Sequence, residues 1–286
     1  MATTALLPNT RQQSSVARHG ALSLRFAKGS RHSVLVDSYF RTPLQVMQPI
    51  TDAAGCACVY ILSPTGGVVQ GDRYTIDVTV EEKAHALLTT LAATKIYRMP
   101  HDYAEQIIHI EVMPGAVLEF VPDAAILFAD ADFRQTIDVT LHNGAVMMFQ
   151  DSVMPGRLAH GESLNFRRYR NRLTVRDSTG LLLLEQQDIT PQTQNLSRLG
   201  VLEGFHCWSG WYLLGDLARF GVDAKAFCEA YTPPDGVMGS ATRLHRDGVS
   251  VRLLADYWSP LAAALDDLRH HVRTEYMQLP ATDLRK

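Results

Sequence analysis

Asp72 lies in the stretch of the chain whose residue types most suggest chemistry. It stands in "SPTGGVVQGDRYTIDV" (63–78), where Gly66, Gly67 and Gly71 precede it between two apolar runs. A phosphate cradle, a metal or catalytic loop, and a tight turn between strands would all use such residues. A P-loop needs G-x-x-x-x-G-K-[ST] followed by a helix whose N-terminus holds the phosphates. No lysine–hydroxyl pair follows these glycines, and "YTIDVTV" alternates like a strand. A dinucleotide fingerprint fails for the same reason, since no helix opens after the glycines. The glycines therefore read as a turn that needs positive φ or close backbone approach. Asp72 then braces that turn through side-chain-to-backbone bonds, or presents a carboxylate.

Other chemistry-bearing residues are more scattered. Cys56 and Cys58 in "CAC" fall on one face of a strand, close enough to share a soft ion. No second CxxC or HxxxH completes a tetrahedral site, so buried strand cysteines are expected. His206–Cys207 and His270–His271 are adjacent pairs, whose side chains diverge in a helix by about 100°. There is no H-E-x-x-H, no H-x-H with a nearby acid and no G-x-S-x-G. In "LNFRRYRNRLTVR", Arg168, Arg170 and Arg172 line one strand face, which is read as a solvated face or an anion-binding one. In "AVLEFVP", Glu119 shares a face with Val117 and Val121, which turns a carboxylate toward an apolar interior. Such a residue is either paired or functional.

The elements that must hold these residues are strands. Ile76, Val78 and Val80 alternate with Thr75, Asp77 and Thr79; Ile108, Ile110 and Val112 alternate with His109 and Glu111; Ile137, Val139 and Leu141 alternate with Asp138, Thr140 and His142. Each run has the period of a strand with one buried face. Turn signals "SPTGG", "MPGA", "HNGA" and "DSTG" separate the runs, and no amphipathic helix stands out from about 20 to 190. The pattern predicts a mainly β fold: a large antiparallel or solenoid-like stack of strands with about two helices toward the C-terminus, rather than βαβ units. No fixed-period repeat identifies a known solenoid class. The helices are expected at 223–231, ended by "TPPDG", and at 259–277, with Ser259 as N-cap and Pro260 in the first position. Leu261, Leu265, Leu268, Val272 and Tyr276 give the second one apolar stripe, suited to docking on the sheet or to a partner.

Composition narrows the class. In 286 residues, 46% are hydrophobic and 20% charged, which fits a substantial core. A net charge of −3 argues against nucleic acid, and no apolar run approaches a membrane span. Four cysteines make no disulfide framework, so a reducing, cytoplasmic setting is expected. The first 20 residues lack a signal-peptide core and are read as a disordered polar tail, with 21–286 as one β-rich domain.

Four blocks in order then carry a resemblance: "SPTGGVVQGDRY", "LLTTLAATKIYRM", "LEFVPDAAILFADADF" and "PGRLAHGES". Together they resemble the urease accessory protein family called UreD (UreH in some bacteria), over about residue 20 to the end. Its motif positions here are Gly66, Gly67 and Gly71, then Lys95, Tyr97 and Arg98, then Gly156, Arg157 and Gly161. The third block departs from the family pattern, because Ala124 stands where a second proline after Pro122 is expected. The resemblance implies a non-enzymatic scaffold that works with UreF-like and UreG-like (GTPase) partners and urease structural subunits. The dimeric assembly would form through the UreF-like partner. It implies no tightly bound cofactor, only nickel in transit through a polar internal tunnel. Candidate residues for that path are Asp72 and Glu162 from the motif blocks, Thr94 from "TKIYR", and Glu119 and Asp151 for charge and position. Two rival readings remain at this point. One is a small-molecule enzyme centred on Asp72, Glu119 and the Arg168/Arg170/Arg172 strand; the other is an adaptor with no metal role.

Overall fold

The computed structural model describes residues 19–246 and 248–284. The expected tail over 1–20 lies outside the described residues except for His19 and Gly20, with which the first strand opens. β1 (His19–Lys28) and β2 (Ser33–Arg41) form a hairpin, and the short β3 (Gln45–Val46) and β4 (Ile50–Thr51) edge β5 (Ala57–Leu62). The chain then coils. One coil is β6 (Arg73–Val80), β7 (His85–Thr90) and β8 (Thr94–Ile96); the next is β9 (Ala104–Val112), β10 (Val117–Phe120) and β11 (Ala125–Leu127). A third holds β12 (Asp132–Leu141) and β13 (Val146–Met154), followed by β14 (Arg168–Asp177) and its hairpin partner β15 (Gly180–Ile189). Last come β16 (Cys207–Gly215), α1 (Ala224–Ala230), β17 (Val237–Arg243), β18 (Gly248–Ala255) and α2 (Trp258–His271).

Two sheets result. Sheet 1 has the order β15-β14-β12-β9-β6-β1-β2, and sheet 2 runs β17-β18-β16-β13-β10-β7-β5-β3. Successive coils add parallel strands to each sheet, and antiparallel pairing closes both ends of the stack. The mainly β, solenoid-like expectation is therefore met, with two α-helices near the C-terminus. The alternating residues stack in register across sheet 1. Leu22, Ile76, Ile108, Ile137 and Leu173 form one buried rung, and Leu24, Val78, Ile110, Val139 and Val175 the next. In sheet 2, Val59, Leu88, Phe120, Phe149 and Tyr212 face them, with ring centroids 5.5 Å apart for Phe120–Phe149 and 5.9 Å for Phe149–Tyr212. The core lies between the sheets, and period-2 burial generates it directly.

Both helices dock on the outer face of sheet 2. Asp223 caps α1 by accepting from the backbone N–H groups of Lys225 and Ala226. α2 starts at Trp258, two residues before the expected first position at Pro260, so Tyr257 rather than Ser259 is its N-cap, and its side chain makes no capping bond. Pro260 thus falls in the third helical position, where a missing N–H is still among the four left unbonded. Leu261, Leu265, Leu268 and Val272 pack with Met148, Trp211 and Leu213, so the stripe serves docking. Among the described residues no helix is long and apolar enough to cross a membrane.

Candidate functional site: a polar line inside the coil

The inward rung next to the apolar ones is polar. Tyr74, Gln106, Gln135, Asn171 and Gln187 stand in register across β6, β9, β12, β14 and β15. Gln106 Nε2 donates to Gln135 Oε1 at 3.0 Å, and Gln135 Nε2 to Asn171 Oδ1 at 3.3 Å and Asp151 Oδ1 at 3.4 Å. Asp151 reaches this rung from β13, accepting from Asn171 Nδ2 at 2.5 Å and from the Tyr169 hydroxyl at 3.3 Å. Burial pushes the Asp151 carboxyl up to about 6, against the hydrogen bonds from Tyr169 and Gln135. Burial likewise pushes the Tyr169 phenol well above its ordinary value, with the Asp151 charge adding to it.

A cavity of about 340 Å³ opens onto this rung. Gln106, Gln135, Asp151, Phe120 and Phe149 line one part, and Pro64, Gly66, Gly67, Thr94, Lys95 and Asp123 line another. From Asn171 the polar line goes on to Gln187, which accepts from Trp208 Nε1 at 3.1 Å and donates to Glu185 at 3.3 Å. Glu185 forms a two-pronged ion pair with Arg252, whose side chain is 50% exposed. Amide and carboxylate oxygens therefore follow one another from the cavity to a half-exposed arginine. No nucleophile–base pair occurs along them, whereas oxygens of this kind suit a hydrated divalent cation.

Asp151 and Thr94 line the cavity; the other three sequence candidates stand elsewhere. Asp72 is buried in the glycine turn, where its Oδ2 accepts from Val69 N–H at 2.9 Å and the Tyr74 hydroxyl at 2.6 Å. It is a turn brace, one of the two roles that the sequence left open. Glu162 accepts from Ala129 N–H at 2.9 Å and Arg157 Nη2 at 2.5 Å, and Arg157 holds its carboxyl below the usual range against the effect of burial. Glu119 points to the outer face of sheet 2. Its Oε1 meets His85 Nε2 at 2.8 Å and the Arg273 guanidinium, which together hold the carboxyl down although burial pushes it up.

The four motif blocks meet along one edge of the coil. Gly67 packs against β8, where a Cβ would lie 2.5 Å from the Lys95 carbonyl oxygen. Tyr97 reaches the Gly66 carbonyl at 3.3 Å and stacks edge-on against Phe128 at 5.1 Å. Arg157 lies over the Phe128 ring at 4.9 Å, and Arg98 pairs with Asp130 at 3.0 Å. Gly156, at φ +146°, lets the chain pass the Glu162 carbonyl, and Gly161 turns it at φ +69°. The enzyme-like constellation does not form. Arg168 and Arg170 pair with Asp188 on sheet 1, Glu119 lies on the far face of sheet 2, and Asp72 is engaged in its turn.

Sequence reasoning missed Gln106, Gln135 and Asn171. Each stands two residues before an inward aliphatic, in "QIIHI", "QTIDV" and "NRLTV", so the same alternation that located the core carried them. Cys56 and Cys58 are buried and free, as expected.

The model of the UreD urease accessory protein family matches residues 18–286 of the chain. The chain is 35% identical over 293 residues to urease accessory protein UreD 2 of Streptomyces griseus, covering 100% of both chains. It is 34% identical to urease accessory protein UreD of Actinomyces naeslundii (93% of this chain, 98% of the relative) and 32% to that of Haloarcula marismortui (95% and 92%).

Proposed function

The chain belongs to the UreD family of urease accessory proteins, and from that membership we propose that it serves urease maturation as a non-catalytic scaffold that passes nickel to the urease apoprotein. The observation that carries the reading is the polar line from the cavity through Gln106, Gln135, Asp151 and Asn171 to Glu185 and Arg252. A hydrated divalent ion does not cross an apolar core, but amide and carboxylate oxygens relay it without a deep trap. With its carboxyl at about 6, Asp151 is mostly ionised at neutral pH and supplies one negative charge midway. Thr94 serves at the cavity, while Asp72 and Glu162 hold the loops that frame it.

The partners in this reading are UreF-like and UreG-like proteins and the urease subunits, in the cytoplasm, with the dimeric assembly formed through the UreF-like partner. Nucleotide hydrolysis falls to the UreG-like GTPase, consistent with a glycine loop that turns into a strand rather than a helix. The test is to produce urease with its other accessory proteins at limiting nickel, with and without this chain. Urease made without it is expected to hold little nickel and show little activity. Full nickel content and activity in its absence would overturn the reading.

A further inference from the structure

Among the described residues, two groups of three or more His, Cys, Asp or Glu donors lie close enough to share an ion, and both contain Cys56. In one, Asp52, Cys56 and Cys58 have ligand atoms within 4.8 Å of one another; in the other, Cys56, His85 and Glu119 do. The fold explains the convergence. Cys58, Leu87 and Glu119 are in register across β5, β7 and β10, and their side chains point out of sheet 2, away from the interior cavity. Glu119 is fully buried, and its Oε2 has no hydrogen-bond partner. A buried carboxylate oxygen left unpaired beside the Cys56 thiol and the His85 imidazole is costly unless something else occupies it. Arg273 does not fill that oxygen: its guanidinium bonds the other one, Glu119 Oε1, and lies 2.7 Å from Asp52 Oδ2.

We infer that this cluster binds one divalent cation of the zinc, cobalt and nickel class, with Cys56 as the central ligand and further ligands from Cys58, His85, Asp52 and Glu119, in exchange for the Arg273 guanidinium. Thiolate, imidazole and carboxylate are the donors that such borderline ions take. Binding converts two thiols to thiolates and releases two protons to solvent, while the guanidinium leaves with its single charge. The segment after α2 must lift for that exchange, because Arg273 Nε donates to the Pro280 carbonyl at 3.1 Å and the Thr282 hydroxyl to Asp52 at 2.9 Å. This site lies on the opposite face of sheet 2 from the polar line and does not rest on the maturation reading.

The experiment is an anaerobic titration of the reduced, full-length chain with Co²⁺, followed by Zn²⁺. One Co²⁺ per chain is expected, with a thiolate-to-cobalt charge-transfer band that Zn²⁺ abolishes. Cys56→Ser, which leaves Cys58 as the one thiolate, should cut the band by about half or more and weaken binding about 100-fold or more, and His85→Ala should weaken it at least about tenfold. Arg273→Gln removes the competing cation and should tighten binding; unchanged or weaker affinity would overturn the exchange. Saturation without a thiolate band, or a band undiminished in Cys56→Ser, would overturn the site. Should Cys56→Ser fail to fold, X-ray absorption on Co²⁺-loaded Cys228→Ser chain decides. A sulfur scatterer at about 2.3 Å supports the site, and a shell of nitrogen and oxygen alone contradicts it.

Discussion

Glu119 and Arg273, 154 residues apart in sequence, form an ion pair in which neither side chain reaches solvent. The pair fastens the segment after α2 to the middle of sheet 2, on a rung otherwise filled by Leu87, Met148 and Leu213. Removing one partner leaves the other with a single remaining contact, Arg273 with Asp52 or Glu119 with His85, and breaking such a buried pair costs up to about 3–5 kcal/mol. Glu119→Gln and Arg273→Met are each expected to destabilise the metal-free chain by roughly that much. The double variant should cost far less than their sum, because each single change mainly exposes the other charge. Urea unfolding of the four proteins measures the cycle, and additive losses would show that the pair does not act as a unit.

The pH dependence of stability carries two opposing signatures. Glu119 has its carboxyl lowered in the folded chain, so its contribution is present above the ordinary carboxylate range and is lost as pH falls through the lowered value. Asp151 is raised to about 6, so its protonated form favours the fold. That contribution is full below about pH 4 and is lost as pH rises to about 6. Asp151→Asn should therefore flatten the stability profile between about pH 4 and 6 and raise stability at pH 7 by roughly 1–3 kcal/mol. Unfolding midpoints measured across that range check the sign; an unchanged slope would contradict the assignment.

The two leading glycines of the motif should tolerate substitution very differently. At Gly67, with φ +153°, a Cβ would meet the Lys95 carbonyl at 2.5 Å and Tyr97 at 2.7 Å, both fixed by the neighbouring strand. At Gly66, with φ +87°, the nearest atom is 3.9 Å away. Gly66→Ala should cost about 1 kcal/mol for the backbone conformation alone. Gly67→Ala should cost at least about 2 kcal/mol, since backbone must also shift. Thermal or urea unfolding of the two variants distinguishes them, and equal losses would show that the approach to β8 is not tight.

Much of this fold was legible because its strands are amphipathic in the simplest way. Ile76, Ile108 and Ile137 announced one buried rung, and α1 was found from the run 223–231 and the prolines that end it. Parallel stacking was not legible, because period-2 alternation is the same in parallel and antiparallel strands. The start of α2 was misplaced by two residues because Tyr257 caps it without the side-chain bond that marks an N-terminus in sequence. For the site, Asp151 was picked out by charge and position, but its amide partners Gln135 and Asn171 come from β12 and β14 of the other sheet. Glu119 read as a carboxylate either paired or functional, and its partner Arg273 lies on an element that packs there only in three dimensions. Cys56 and Cys58 lacked further ligands in sequence for the same reason: His85 and Glu119 come from neighbouring coils.

The central claim is that the polar line inside the coil carries nickel, and one measurement tests it most directly. Gln135→Leu replaces the amide that joins Gln106, Asp151 and Asn171 with an apolar side chain of similar size. Urease should be produced at limiting nickel with either the wild-type or the Gln135→Leu chain, and its nickel content read per active site, with co-purification of the chain and its partners as the control. The expected result is a several-fold loss of nickel while the complex still assembles. Full nickel loading by Gln135→Leu in an intact complex would contradict an interior route.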